Sequence, residues 1–339
     1  MPFLFHQKIK KMKLRTETEI KKSKIEINHR SKLLMIGSCF AQNIGQKLEE
    51  NKFDILLNPF GILYNPVSIA KAMERLIGKK EFSGDDLFFH KGLYHSFCHH
   101  GCFSHDSQSE CLNNINILQQ KATLCLHDAN MLFVTFGTAY VYEYAVTKEV
   151  VGNCHKLPAS DFRRYRLTTE AIVNEWLGLI DKLRAINPKL CLIFTVSPIR
   201  HLRDGAHDNQ LSKATLLLAI DELRSKRDNV HYFPSYEIVL DDLRDYRFYD
   251  RDMVHPNALA IEYIWNVFGE IYFSDETKNI IKEWQKLKKA IAHKPINRGT
   301  DEHTQFLKQT LLKLDEFNAK YPFICINSET DDLNDQLKK

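Results

Sequence analysis

Two short segments of this sequence hold residues whose types and spacing could do covalent chemistry. In Ile36-Gly37-Ser38-Cys39-Phe40-Ala41 an apolar run stops at the glycine and a helical pattern follows, so Ser38 falls at a strand-to-helix turn. Unpaired amides and the positive end of a helix dipole at such a turn favour an anion forming beside the hydroxyl. The same position also suits a plain helix cap, which serine fills well. In Arg251-Asp252-Met253-Val254-His255-Pro256 a carboxylate precedes a histidine by three residues. Within one tight loop Asp252 can accept the Nδ1 hydrogen of His255 and leave Nε2 facing a serine, which is the base-plus-orienter logic of nucleophilic catalysis. A capping aspartate beside a surface histidine is the plainer reading of that segment.

Other residues compete for these roles. Cys39 adjoins Ser38, and a thiol at a helix start could itself attack. Neighbours on a helix point about 100° apart, so one of the two faces the histidine, and Cys39 is expected to pack beneath the site. His90, His95, Cys98, His99, His100, Cys102 and His105 cluster in sequence and raise the question of zinc. Their spacing matches no paired ligand set, so the segment is expected to be a substrate-facing loop with no metal. His155-Lys156 and Arg200-His201 are either cationic groups at a pocket or ordinary surface charge.

The elements that must position these groups follow from periodicity. Apolar runs without polar alternation lie at Lys32 to Ile36, Phe53 to Leu57, Met131 to Phe136, Leu190 to Val196 and Val230 to Phe233, as expected of strands buried on both faces. Helical spacing lies between them, at Gln42 to Asn51, Val67 to Ile77, Cys111 to His127, Thr169 to Ile186 and Gln210 to Arg224, and again over Ala258 to Phe273. The alternation predicts a three-layer α/β/α sandwich on a parallel, flavodoxin-like sheet of about five strands. Phe82 to Glu110 and Ala139 to Pro158 interrupt the pattern, the second as a hairpin of Val141 to Val146 and Lys148 to Val151. Long connections of this kind often carry function. Beyond Phe273 the pattern predicts helices at Asp275 to Ala292 and Asp301 to Lys320 and then a polar tail, with no convincing linker before about Lys294. This divides the chain into a domain over 14–273 and a helical extension over 274–339.

Composition bounds the partners. The chain has 339 residues, 44% of them apolar, which suffices for a packed core around a deep site. Lys plus Arg number 47 against 43 acidic residues, and the +4 is spread without a basic block, giving no support for nucleic acid as a partner. No apolar run approaches the roughly 18 residues that span a bilayer, and the early Phe3-Leu4-Phe5 patch precedes its lysines, the wrong order for a secretory signal. Met12 is a plausible initiator, because no periodicity precedes it. Eight scattered cysteines lack the density of a disulfide scaffold and read as reduced thiols of a cytoplasmic protein. No pattern specifies an oligomeric state.

A resemblance joins these pieces. Gly37-Ser38 after the first strand, Asn58-Pro59-Phe60-Gly61 after the second, Phe136-Gly137-Thr138 after the third and Asp252 to His255 after the last follow the block order of the SGNH or GDSL-type hydrolase superfamily. Gly37-Ser38-Cys39-Phe40-Ala41 resembles more closely the GSCFA family within it, as do Asn58 to Pro66, Gly137-Thr138-Ala139, Asn153 to Lys156, Ser197 to His201 and Asp252 to Pro256. The resemblance implies Ser38 as nucleophile, Asp252 as orienter, His255 as general base, and the Ser38 and Gly61 amides as oxyanion donors. Where the superfamily has Gly-x-Asn this chain has Gly137-Thr138-Ala139, so Asn153 or Thr138 is expected to supply the third donor. Loss of one such donor costs about 100- to 1,000-fold in rate, so a replacement is expected.

The expected activity is a cofactor-free serine esterase acting on a small O-acyl ester, acetyl first, of a carbohydrate or similar polar carrier. His99, His100, His155, Lys156, Arg200 and His201 are expected around the substrate, a polar and partly cationic set. A sugar O-acyltransferase would use the same triad. A non-catalytic carbohydrate-binding module on an inherited hydrolase fold is the alternative of a different class.

Overall fold

The computed structural model of the chain describes residues 16–293, 295 and 300–338; Met12, and the first two residues of the expected 14–273 domain, lie outside them. Five parallel strands form the central sheet: β1 (Lys32–Gly37), β2 (Asp54–Leu57), β5 (Met131–Phe136), β9 (Cys191–Val196) and β10 (Val230–Tyr232), in the order β2-β1-β5-β9-β10. Numbered by their sequence within this sheet, that is 2-1-3-4-5, the flavodoxin-like order. The expected three-layer fold is therefore the observed one.

Burial on two faces explains why these strands lack polar alternation. Leu34 and Ile36 of β1 join one core with the helices α2 (Pro66–Gly78), α3 (Gln108–Asp128), α4 (Thr169–Ile186) and α5 (Gly205–Lys226). Leu33 and Met35 join a second core with α1 (Cys39–Glu50) and α7 (Ala258–Tyr272), through Phe40, Ile44, Leu48, Ile264 and Phe268. Each inward residue thus meets apolar side chains whichever way it points. A short turn, α6 (Ser235–Glu237), follows β10.

The two interrupting regions hold more regular structure than the sequence suggests. The segment read as one loop contains a hairpin of β3 (Phe88–His90) and β4 (Leu93–His95). The expected two-stranded hairpin is a three-stranded sheet in which β6 (Tyr140–Tyr144) pairs with both β7 (Val150–Val151) and β8 (Phe162–Arg166). Strand β8 reads Phe-Arg-Arg-Tyr-Arg, and its charged residues hide its strand character from an apolar search. The C-terminal helices α8 (Asp275–Ile291), α9 (Asp301–Lys320) and α10 (Asn327–Leu337) share a third core built on Trp284, Leu287, Leu314, Phe317 and Leu333. The expected polar tail is α10, held down by Leu333. Trp284 also donates its indole hydrogen to the Glu50 carbonyl at 2.8 Å, and Lys52 pairs with Glu329 at 2.5 Å, tying the extension to the first domain. No helix among the described residues is long and apolar enough to cross a membrane.

Candidate active site

Ser38 stands at the carboxyl edge of the sheet, beside the crevice where strand order reverses between β1 and β5. Gly37 brings it there with φ +145°, and a Cβ at that position would lie 2.4 Å from the Thr135 carbonyl oxygen. Only glycine tolerates both the angle and that approach. The Gly37 amide donates to Asn58 Oδ1 at 2.9 Å, its carbonyl accepts from the Leu63 amide at 3.0 Å, and Asn58 Nδ2 donates to Gln42 Oε1 at 2.9 Å. Ser38 itself caps α1, its hydroxyl accepting from the Phe40 amide at 3.3 Å. The plain cap and the anion-favouring helix start are therefore the same residue.

His255 and Asp252 are coupled by their own loop. Met253 adopts φ +58°, reversing the chain so that Asp252 Oδ1 accepts the amides of Val254 at 2.9 Å and His255 at 3.0 Å. Asp252 Oδ2 then accepts from His255 Nδ1 at 2.6 Å. These backbone amides, with the imidazole, pull the Asp252 carboxyl down to about 2. Asn257 pins the far side of the loop by capping α7 and donating to the Arg247 carbonyl at 2.6 Å.

Ser38 and His255 line one cleft of about 610 Å³, together with Cys39, Tyr64, His100, Thr138, Asn153, Arg200 and His201. One wall comes from the three-stranded sheet, where Arg164 lies 4.2 Å over the Tyr140 ring and pairs with Asp204, whose side chain is only 4% exposed. His201 sits edge-on to Tyr64 with centroids 6.0 Å apart; burial, aided by Lys213 and His255, lowers its pKa to about 4 and keeps it neutral at pH 7. Under the cleft floor Lys213 is fully buried and donates to the carbonyls of Gly137 at 2.6 Å and Ser197 at 2.7 Å. It joins the ends of β5 and β9 and has no carboxylate partner among the described residues.

Several sequence expectations need correction. The Gly61 amide donates to the Asn58 carbonyl at 2.7 Å and Gly61 is not part of the cleft lining, so it is spent on its own turn, where φ +72° and the His100 side chain require glycine. Thr138 lines the cleft, but its amide donates to the Tyr64 carbonyl at 3.0 Å, while its hydroxyl meets Ser212 Oγ at 3.1 Å and accepts from the Tyr140 amide. Its amide is therefore spent, and its hydroxyl is engaged by Ser212 and Tyr140. Asn153 keeps the capacity to meet an oxyanion: it lines the cleft, its Oδ1 accepts from the His155 amide at 2.8 Å, and its carboxamide nitrogen has no hydrogen-bond partner among the described residues. The Ser38 amide likewise donates to no group among the described residues.

The expected substrate set divides. His100, Arg200 and His201 line the cleft. His99 does not; it is 1% exposed, stacked on Phe60 at 4.9 Å, and burial lowers its pKa to about 3. His155 is also interior, its Nε2 bonded to the Ser96 carbonyl at 2.8 Å and its pKa lowered by burial to about 4. Lys156 is exposed away from the cleft lining. Cys39 lines the cleft beside Ser38 instead of packing beneath it, its Sγ 3.7 Å from the Tyr64 hydroxyl. In the histidine cluster, His95 spends its ring on Ser104 Oγ and the His90 carbonyl, and no group of three or more potential metal ligands converges among the described residues.

Tyr64, Lys213 and the Arg164–Asp204 pair escaped sequence reasoning. A signal for Lys213 exists: the buried face of α5, Leu216, Ala219, Ile220 and Leu223, continues backward as Asn209, Ser212 and Lys213. Polar residues at core spacing mark a helix end that serves a site.

Among solved structures, a family 3 carbohydrate esterase of Clostridium thermocellum is similar over 74% of this chain and 97% of that one, at 10% identity and a TM-score of 0.33. A family 3 carbohydrate esterase of Talaromyces cellulolyticus is similar over 75% and 99%, at 9% identity and a TM-score of 0.33. No curated protein matches the sequence. The model of the GSCFA domain protein, C-terminal domain, matches residues 284–339. The GSCFA family model matches residues 32–268, more than half of the chain, and this protein therefore belongs to the GSCFA family.

Proposed function

We propose that the chain is a serine esterase that removes a small acyl group, acetyl first, from a polar carrier such as a carbohydrate. The observation that carries this reading is the Asp252–His255 pair, 2.6 Å apart, whose histidine shares one cleft with a serine at a helix N-terminus. With Nδ1 bonded to Asp252, His255 presents Nε2 as the base that takes the Ser38 proton during attack on the ester carbonyl. The tetrahedral oxyanion is met by the Ser38 amide and the Asn153 carboxamide, aided by the dipole of α1. His255 then returns the proton to the leaving alcohol, and water repeats the sequence on the acyl-enzyme. Water has access, since the side chains of His255 and Asp252 are 43% and 51% exposed. Asn153, Arg164, Arg200 and His201 place hydrogen-bonding groups in the cleft beside the rings of Tyr64, Tyr140 and Tyr142, a mixed lining suited to a polar carrier.

The test compares acetyl with octanoyl esters of one leaving group, then acetylated sugars with acetylated lipids, following acetate release. Faster turnover of acetyl esters on sugars is expected, and loss of it in Ser38→Ala. Preference for octanoyl, or turnover of the lipid alone, would overturn the small-acyl reading.

A further inference from the structure

The charges around the cleft are unbalanced in a way that the hydrolytic groups do not explain. Asp204 is the acidic residue of the lining, and Arg164 neutralises it. Asp252, behind His255, is spent on the imidazole and two amides. Arg200 and Arg203 also line the cleft, and neither guanidinium has an ion-pair or hydrogen-bond partner among the described residues.

Arg200 is the more telling of the two. It is half-buried and stands where the cleft meets a second cavity of about 500 Å³, walled by Val239, Leu243, Tyr249 and Met253. The other charges of that cavity are already matched, Arg244 with Asp241 and Asp245 with Arg247. A guanidinium drawn out of water without a counter-ion is costly, and its planar fork fits a carboxylate or phosphate through two parallel hydrogen bonds. Its positive charge also reaches the interior, where it helps burial lower Lys213 to about 7.

We infer that the substrate carries an oxyanion, a carboxylate or a phosphate on the carrier near the ester, and that Arg200 receives it with Arg203 at the rim. This rests on the esterase reading for the position of the ester and narrows the carrier from a polar molecule to an anionic one. Arg200 determines specificity in this scheme and takes no part in the covalent steps.

Three acetyl esters test it: acetylated glucuronate, acetylated glucose 6-phosphate and acetylated glucose, each assayed for kcat and KM. The expected result is a kcat/KM at least about tenfold higher for one or both charged esters, since hydrogen bonds between ions are the strong ones. Arg200→Gln should collapse that ratio by roughly ten- to a hundredfold, chiefly through KM, and Arg200→Lys should restore part of it. Arg184→Gln removes the same charge near the C-terminus of α4, outside the cleft lining, and should leave the ratio intact. Equal kcat/KM for all three esters, or a ratio unchanged in Arg200→Gln, would overturn the inference. Calorimetric binding of the same esters to Ser38→Ala separates the two readings. Charge-selective binding without turnover in the wild type would sink the esterase and keep the anion site, whereas turnover without charge preference would do the reverse.

Discussion

Asp252 holds His255 by its backbone as well as by its ring: one carboxylate oxygen accepts the His255 amide at 3.0 Å while the other accepts Nδ1 at 2.6 Å. The loop is thus folded around the aspartate, and its two tasks can be separated by substitution. Asn in its place keeps an oxygen for the amides but offers the wrong partner to one side of the ring. Asp252→Asn is expected to stay folded and to lose about 100- to 10,000-fold in kcat through a misoriented imidazole. Asp252→Ala should also loosen the loop. The carboxyl, lowered from 3.8 to about 2, stabilises the loop above its unfolded value and loses that effect as pH falls through about 2. Circular dichroism and ester kinetics on both variants check this, and full activity in Asp252→Asn would remove Asp252 from the mechanism.

Ser38 and Cys39 line the same cleft, so exposure does not choose the nucleophile between them. Position does: Ser38 is the cap, its own amide donating to no group among the described residues, whereas the Cys39 thiol lies against the Tyr64 hydroxyl at 3.7 Å. Burial and the neighbouring Cys39 raise the Tyr64 pKa well above its ordinary range, so this hydroxyl gives the thiol no charge-based activation. Labelling by a fluorophosphonate should vanish in Ser38→Ala and persist in Cys39→Ala. The opposite pattern would make the protein a thiol enzyme.

How much of this was legible in the sequence follows from the physics of each part. The five parallel strands and their crossover helices were legible because burial on two faces writes continuous apolar runs at β1, β5 and β9. The Asp252–His255 contact was legible because three residues of one loop fix it. Oxyanion donors were not, since a backbone amide carries no sequence mark of whether a turn has already used it, as happened to Gly61. The histidines misled for a related reason: a neutral imidazole is a flat, half-apolar ring, and His99 fills an aromatic pocket between Phe60, Phe82 and Phe103 as a phenylalanine would. Strand β8 was lost because its three arginines break the apolar pattern, one of them, Arg164, serving the cleft wall.

Those interior histidines imply acid sensitivity. His99 and His155 are neutral in the fold, with pKa values lowered by burial from 6.5 to about 3 and about 4. Below pH 6.5 the unfolded chain takes up protons that the folded chain refuses, so stability falls with pH from there down to the folded values. Each group steepens the loss by at most about 1.4 kcal/mol per pH unit. The melting temperature should drop between pH 6.5 and 4, and His99→Phe, which keeps the stacking, should make the drop shallower. An unchanged slope in that variant would mean that His99 already takes up its proton in the fold.

Lys213 links the Gly137 and Ser197 carbonyls from a fully buried position. Burial first and Arg200 second lower its pKa from 10.5 to about 7. Between those two values the unfolded chain holds a proton that the folded chain has released, so this group makes stability rise with pH from about 7 to 10.5. Lys213→Met removes that dependence, yet it leaves two buried carbonyls without their donor, at roughly 1–3 kcal/mol each, against which the relief of an interior ammonium is set. The variant should therefore melt lower than the wild type at pH 9, where the native lysine is neutral, and the gap should narrow towards pH 6, where the wild type carries its buried charge. Cysteines and tyrosines titrate in the same range in both proteins, so the difference between their melting curves isolates Lys213. A gap that is constant from pH 6 to 9 would mean that the two carbonyls hold the proton on Lys213 throughout. A fall in kcat in the same variant, rescued by Lys213→Arg, would further tie this bridge to the placement of the cleft floor.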